Sequence, residues 1–285
     1  MDAAWDGPRP VPVHAMPEMV SMNDVVDANI LLSDGHRPLI VPLGLEFEDL
    51  HIVQANLQES GGLLIVGSVQ SGKTIALQTL LLLMTHIYRP DELRLYIFDA
   101  GFEDLRALAE HPRVALFVES YTCSEEAAPE AIEALKAVLE ERRQRYYRVG
   151  GSTPLPRIVI VVENAFGVED GIATMPDKDE LGDIVAGGRR FGFHLVVSAS
   201  AKKLSSRAFN GVVTDFQSYL ILGSIEESEF SLGLELPPVI KRQYRHLPPG
   251  DALVYRRGRY QHVRLATWLL PRRTHRRGHR ELGSV

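Results

Sequence analysis

Cysteine is almost absent from this sequence: among 285 residues only Cys123 carries a thiol. A single thiol excludes an internal disulfide and any cysteine-based zinc site, and it suits a reducing compartment. Cys123 itself reads as a small, partly buried packing residue. Long hydrophobic runs are also missing. The longest, Leu77 to Met84, is broken by Gln78 and Thr79 and falls well short of the roughly 20 residues a membrane span needs. The first residues are acidic and proline-rich rather than basic and then apolar, so no signal peptide is expected and the chain is expected in the cytoplasm. Nor is there an excess of positive charge. The formal net charge is −6, although Pro271 to Arg280, PRRTHRRGHR, holds five arginines and no acid. Without that tail the body is more acidic still, a poor footprint for gripping a polyanion. The tail reads either as a solvated end or as a contact for nucleic acid or acidic lipid.

What remains is ordinary globular composition, with 45% hydrophobic and 24% charged residues. The length suits one large domain with extensions. Prolines 8, 10, 12 and 17 lead us to expect an extended opening linker, of the kind that suits an intermodule connection. The expected division is a linker over residues 1–23, a domain over 24–270 and an arginine-rich tail over 271–285. Two apolar runs, Ile30–Leu32 and Leu39–Leu43, flank the turn signal Ser33-Asp34-Gly35 and suggest a hairpin leading into the main fold. Buried strands then alternate with helical segments. GLLIVG precedes a helix over 73–87, LRLYIFDA a helix over 127–147, and PRIVIVVEN a helix over 180–190, followed by FHLVVSAS. Continuous β-branched runs with helices between them predict an α/β fold, a mostly parallel sheet covered on both faces. In the long helix Ile132, Leu135, Val138 and Leu139 form the packing stripe. SYLILGS and GDALVYRRG supply two more strands, the second after a turn at Pro248–Gly250.

The segment Gly67-Ser68-Val69-Gln70-Ser71-Gly72-Lys73-Thr74 satisfies G-x-x-x-x-G-K-[ST] between an apolar strand and an apolar-periodic helix. The glycines let successive N–H groups point at phosphates, and the helix N-terminus adds partial positive charge. Lys73 is expected on the β and γ phosphates of ATP, and the Thr74 hydroxyl on Mg²⁺. A carboxylate at the end of a neighbouring strand should help to hold the metal. Two strand ends offer one, Asp99 and Glu163, and Glu163 is preferred because the later strand is expected beside the phosphate loop. Asn164 follows it. An amide cannot accept a proton from the attacking water, and loss of a general base costs about 10²–10⁴-fold in rate. ATP binding with weak or no hydrolysis is therefore expected.

These segments resemble the FtsK/SpoIIIE-type ATPases, and most of all the repeated ATPase modules of the EccC/EssC motor of type VII secretion. GLLIVGSVQSGKT, LYIFDAGFEDL, EERRQRYY, PRIVIVVEN, GGRRFGFHLVVSAS and LPPGDALVYRRGR follow in the family's order over residues 25–268. The resemblance implies a RecA-like fold and a hexamer or string of modules with nucleotide between neighbours. It also implies an arginine supplied in trans, for which Arg189, Arg190 and Arg207 are candidates. Three departures point to a degenerate module: Glu163-Asn164 stands for Asp-Glu, Ser200 for a γ-phosphate-sensing Gln, and Ala100 for the Lys after Asp99. Asp99 and Ser200 remain candidate sensor or supporting residues. Such modules in the family are thought to bind nucleotide structurally and, in the last one, to receive helical export signals. The implied partners are other ATPase modules and secreted proteins, at the cytoplasmic face of a membrane complex. The competing readings are a DNA translocase, disfavoured by the acidic body, and a freestanding nucleotide-dependent scaffold.

Overall fold

The computed structural model describes residues 15–26, 38–99, 103–124, 126–149, 155–163, 178–201, 216–224 and 236–268. In chain order these form β1 (Val20–Ser21), α1 (Met22–Val25), β2 (Ile40–Glu46), β3 (Ile52–Asn56), α2 (Leu57–Ser60), β4 (Gly62–Gly67), α3 (Lys73–Ile87) and β5 (Leu93–Asp99). Next come α4 (Arg106–Ala109), α5 (Pro112–Ala115), β6 (Val118–Thr122), α6 (Ala128–Val149), β7 (Arg157–Glu163), α7 (Lys178–Gly188) and a 3₁₀ turn, Arg189–Phe191. The chain continues with β8 (Phe193–Ser200), β9 (Ser218–Leu222), α8 (Pro238–Gln243), β10 (Asp251–Arg256) and β11 (Arg259–Thr267).

The strands form a single 11-stranded sheet in the order β3-β2-β11-β10-β9-β4-β8-β7-β5-β6, with β1 pairing β11. From β9 to β6 every pairing is parallel. From β9 to β3 every pairing is antiparallel. The α/β expectation holds, because strands buried on both faces must be apolar at every position. Alternation sends Leu63 and Ile65 of β4 to the face covered by α3, and Leu64 and Val66 to the other. On the first face α3 packs through Leu77, Leu80, Leu81 and Met84 beside Leu108 of α4 and Val114 of α5. On the second, α6 brings Ile132, Leu135 and Leu139, with Val138 partly buried beside them, and α7 brings Leu181 and Ile184. The apolar stripe expected on the long helix is thus the face it packs. Arg142 of the same helix is buried against the amino ends of β7 and β8, donating to the carbonyls of Phe191 (2.7 Å) and Pro156 (2.6 Å).

The expected hairpin's first run, Ile30–Leu32, and its turn at Ser33-Asp34-Gly35 lie outside the described residues; the second run belongs to β2, which forms a hairpin with β3 around residues 47–51. Two expectations need correction. Packed structure begins before residue 24, since Val20 is fully buried and pairs with Ala266 of β11. Finally, β7 does not lie beside the phosphate-loop strand, because β8 runs between β4 and β7. The turn at Pro248–Gly250 is present, closed by the Asp251 amide donating to the Pro248 carbonyl. No helix among the described residues is long and apolar enough to cross a membrane. The tail, residues 271–285, lies outside the described residues.

Candidate functional site

The loop between β4 and α3 is built by close packing. A side chain at Gly67 would place its Cβ 2.5 Å from the Ser71 hydroxyl oxygen and 2.6 Å from the Leu222 carbonyl oxygen, so only glycine fits. The backbone then turns through positive φ at Gln70 (61°) and at Gly72 (94°), the residue that caps α3. Turns of this kind leave amide N–H groups facing the concavity, at the positive end of a 15-residue helix. The Ser71 hydroxyl is buried there with no hydrogen-bond partner among the described residues. The Lys73 ammonium folds back and donates to the Ser68 carbonyl at 2.8 Å. Burial lowers its pKa, and the charge of Glu163 opposes part of that shift. A partly desolvated cation at the N-terminus of a helix is a setting that favours an anion.

The acidic side of the site comes from β7. Thr74, in the first turn of α3, donates its hydroxyl hydrogen to Glu163 Oε1 at 2.6 Å. Glu163 is 2% exposed at the end of its strand. Of the two strand-end carboxylates it is thus Glu163 that touches Thr74, although β4 and β7 are not adjacent as expected. Asp99 ends β5 in register with Glu163 and is 1% exposed. Its Oδ2 accepts from the Leu105 amide (2.8 Å) and from the Tyr121 hydroxyl (2.7 Å). Burial and the hydrogen bond to Asp99 raise the pKa of Tyr121, keeping the phenol a donor. The charge of Asp99 also contributes, after burial, to a raised pKa at Asp104. Ser200 ends β8 in register with Gly67, buried between the phosphate-loop strand and the strand of Glu163.

The remaining candidates fall elsewhere. Arg189 and Arg190 are exposed in the turn before β8, at the amino end of the parallel strands. The Arg189 guanidinium lies across Gly61, just before β4. The six residues of β4 at about 3.3 Å each separate these arginines from the phosphate loop of their own chain. Asn164 and Arg207 lie outside the described residues. Gly223, after β9, was not singled out from the sequence. Its φ is +70°, and a Cβ there would lie 2.5 Å from the Ser68 hydroxyl oxygen and 2.9 Å from Ser71 Cβ. The glycine directly after SYLIL is the available signal, and it gains meaning only once β9 is known to lie beside β4.

The donor set fits a nucleotide with its cation. Phosphate would suit the helix N-terminus, Lys73 and the buried Ser71 hydroxyl, which has no partner among the described residues, and the oxygens of Thr74 and Glu163 are hard donors of the kind Mg²⁺ takes. Such an ion, when bound, would neutralise phosphate charge.

Comparison with known proteins agrees with this geometry. The model of the FtsK/SpoIIIE family matches residues 31–216. The type VII secretion system protein EssC of Staphylococcus aureus (strain MRSA252) is 22% identical over 226 residues, covering 72% of this chain and 15% of that protein. The ESX secretion system protein YukB of Bacillus subtilis (strain 168) is 24% identical over 270 residues, covering 92% of this chain and 17% of that protein. Among solved structures, Thermomonospora curvata EccC (ATPases 2 and 3), in complex with a signal sequence peptide, superposes with a TM-score of 0.69 at 19% identity, covering 92% of this chain and 46% of that one. EssC (ATPases 2 and 3) from Geobacillus thermodenitrificans gives 0.68 at 21% identity, covering 90% and 48%. The chain thus spans about a sixth of the length of these curated relatives.

Proposed function

Because the chain belongs to the FtsK/SpoIIIE family, we propose that it is an ATP·Mg²⁺-binding module of a multi-ATPase motor of the type VII secretion kind. The observation that carries this reading is the bond from Thr74 to Glu163, which joins the phosphate loop to a buried strand-end carboxylate across the intervening β8. The fold shared with EccC and EssC ATPase pairs supports a module that works beside other ATPase modules. Gly67 to Thr74 hold the phosphates, with Lys73 on the β and γ groups. Thr74 and Glu163 hold the cation, and Ser200 sits where a sensor would contact the γ-phosphate. Asn164 leaves the site without an adjacent carboxylate base, so the module by itself hydrolyses ATP slowly or not at all.

Nucleotide then serves a structural role, fixing the module against its neighbours in a chain or hexamer. The exposed Arg189 and Arg190, far from their own phosphate loop, suit donation in trans to a neighbour's nucleotide, as does Arg207 by its place in the sequence. The cargo would be secreted proteins bearing helical export signals, received at the cytoplasmic face of the secretion complex. A related EccC structure holds a signal sequence peptide, which supports substrate reception here. Transport of DNA is the second reading, and the net charge of −6 weighs against it.

The test is titration of ATP·Mg²⁺ beside a steady-state hydrolysis assay on one preparation. Binding that Lys73→Ala abolishes, with little turnover that Asn164→Glu raises, is the expected result. Brisk turnover by the unaltered chain would overturn the degenerate-module reading. Tight binding of duplex DNA at physiological salt, without capture of helical secretion substrates, would favour the translocase.

A further inference from the structure

Asp99 is the buried acidic group left over once Glu163 has been placed against Thr74. It lies one strand further from the phosphate loop, in register with Glu163 on β7. Neighbouring strands are about 4.8 Å apart, so the two carboxylates leave the sheet side by side. They also leave on the same face. Ile97 and Val161, two residues earlier on their strands, both pack in the core beneath α3, and alternation carries Asp99 and Glu163 to that side. Both belong to the carboxyl end of the parallel sheet, where Thr74 opens α3.

The two oxygens of Asp99 differ. Oδ2 has a complete structural role, accepting from the Leu105 amide and the Tyr121 hydroxyl. Oδ1 is buried with no hydrogen-bond partner among the described residues. Leaving a buried acceptor unmade costs about 1–3 kcal/mol, more when it is charged, so such an atom calls for an ion, a water or a catalytic role. Mg²⁺ keeps several waters and takes one or two protein carboxylates beside the phosphates. One is already supplied by Glu163, and residue 164 is an amide.

We propose that Asp99 is the second carboxylate of the cation site, with Oδ1 accepting a hydrogen bond from a water of the divalent ion's hydration shell while Oδ2 holds the loop before α4. This rests on the nucleotide-binding reading above. It makes Asp99 a positioning residue for the metal.

Asp99→Asn isolates the claim, because both structural bonds converge on a single oxygen that the amide retains, and only Oδ1 becomes an NH₂ group. The experiment compares ATPγS affinity with Mg²⁺ and with EDTA, together with Tm, for the unaltered chain and for this variant. The expected result is a Mg²⁺ enhancement of affinity about tenfold smaller in Asp99→Asn, the scale of loss when an outer partner of a metal site is removed. Affinity in EDTA and Tm should stay at the unaltered values. An unchanged Mg²⁺ enhancement overturns the proposal and leaves the nucleotide-binding reading intact. Equal losses with and without Mg²⁺, or failure of Asp99→Asn to fold, overturn it in favour of a purely structural carboxylate. An unaltered chain that binds no ATPγS overturns both readings.

Discussion

Replacing Gly223 by alanine should weaken nucleotide binding although no residue of the P-loop motif is itself substituted. Two separate costs arise at this position. The first is conformational: φ of +70° places the residue in the left-handed region, where a Cβ costs roughly 1–2 kcal/mol. The second is spatial: that Cβ would sit 2.5 Å from the Ser68 hydroxyl oxygen and 2.9 Å from Ser71 Cβ. Ser68 can rotate, but Ser71 is held by the close approach at Gly67, so the loop must move; overpacking of this kind costs about 1–3 kcal/mol. Gly258 provides the control, with a φ of +82° and nothing within 4 Å of its Cβ position. Gly258→Ala therefore bears the conformational cost alone, far along the β10–β11 turn. If the extra cost of Gly223→Ala falls on the nucleotide-competent loop, affinity drops about 5- to 150-fold at 1.4 kcal/mol per factor of ten. Titration with ATP·Mg²⁺ on both variants, with Tm measured in parallel, reads the two costs separately. Equal affinity for Gly223→Ala and Gly258→Ala would refute the claim that Gly223 shapes the phosphate loop.

Glu163→Gln keeps an acceptor for Thr74 but removes the charge; it should leave Tm nearly unchanged and reduce the gain in ATP affinity on adding Mg²⁺, which calorimetry with and without EDTA would read. Arg142→Met should lower stability by about 1–3 kcal/mol for each of the two carbonyls that lose their donor, measured by urea unfolding, with Arg142→Lys recovering part of the loss. His194, 1% exposed, has its pKa lowered from 6.5 to about 4, first by burial and then by Arg157 and Arg189, while the Leu57 backbone opposes part of the shift. The unfolded ring takes up a proton below pH 6.5 and the folded ring does not until about pH 4, so its contribution is full above pH 6.5 and shrinks as the pH falls to about 4. The loss amounts to about 3 kcal/mol, and His194→Leu should flatten that part of the stability–pH curve.

Much of the parallel half was legible in the sequence because its inner strands are buried on both faces and so read as largely apolar runs. GLLIVG, PRIVIVVE and FHLVVSAS carry that signal in their composition, whatever lies beside them. β6, VESYT, does not, since an outer strand keeps polar residues and resembles a loop. The antiparallel half was only partly legible for a related reason. β11, RYQHVRLAT, mixes buried with half-exposed positions and is held to β10 by Asp251, which pairs with Arg264 and with His262. A charge cluster of that kind reads as surface until the register brings its members together. The two carboxylates at strand ends were visible, and Glu163 was preferred on an expected adjacency of strands that the sheet order does not have; its contact with Thr74 across β8 was not legible.

That bond explains features of β8 that its sequence alone did not. β4 and β7 are two strand spacings apart, about 9.6 Å, with β8 between them. Thr74 spans the gap because the start of α3 leans across β8, and this is feasible only if β8 presents little bulk on that face near its carboxyl end. Alternation from Val196, which packs in the core beneath α3, puts Ser198 and Ser200 there. Both are small and buried, and the Ser198 hydroxyl has no hydrogen-bond partner among the described residues. Serine is small enough at both positions to leave that room. The residues between the phosphate loop and Glu163 thus bring helix and carboxylate together by leaving room, and that requirement exists only in the assembled sheet.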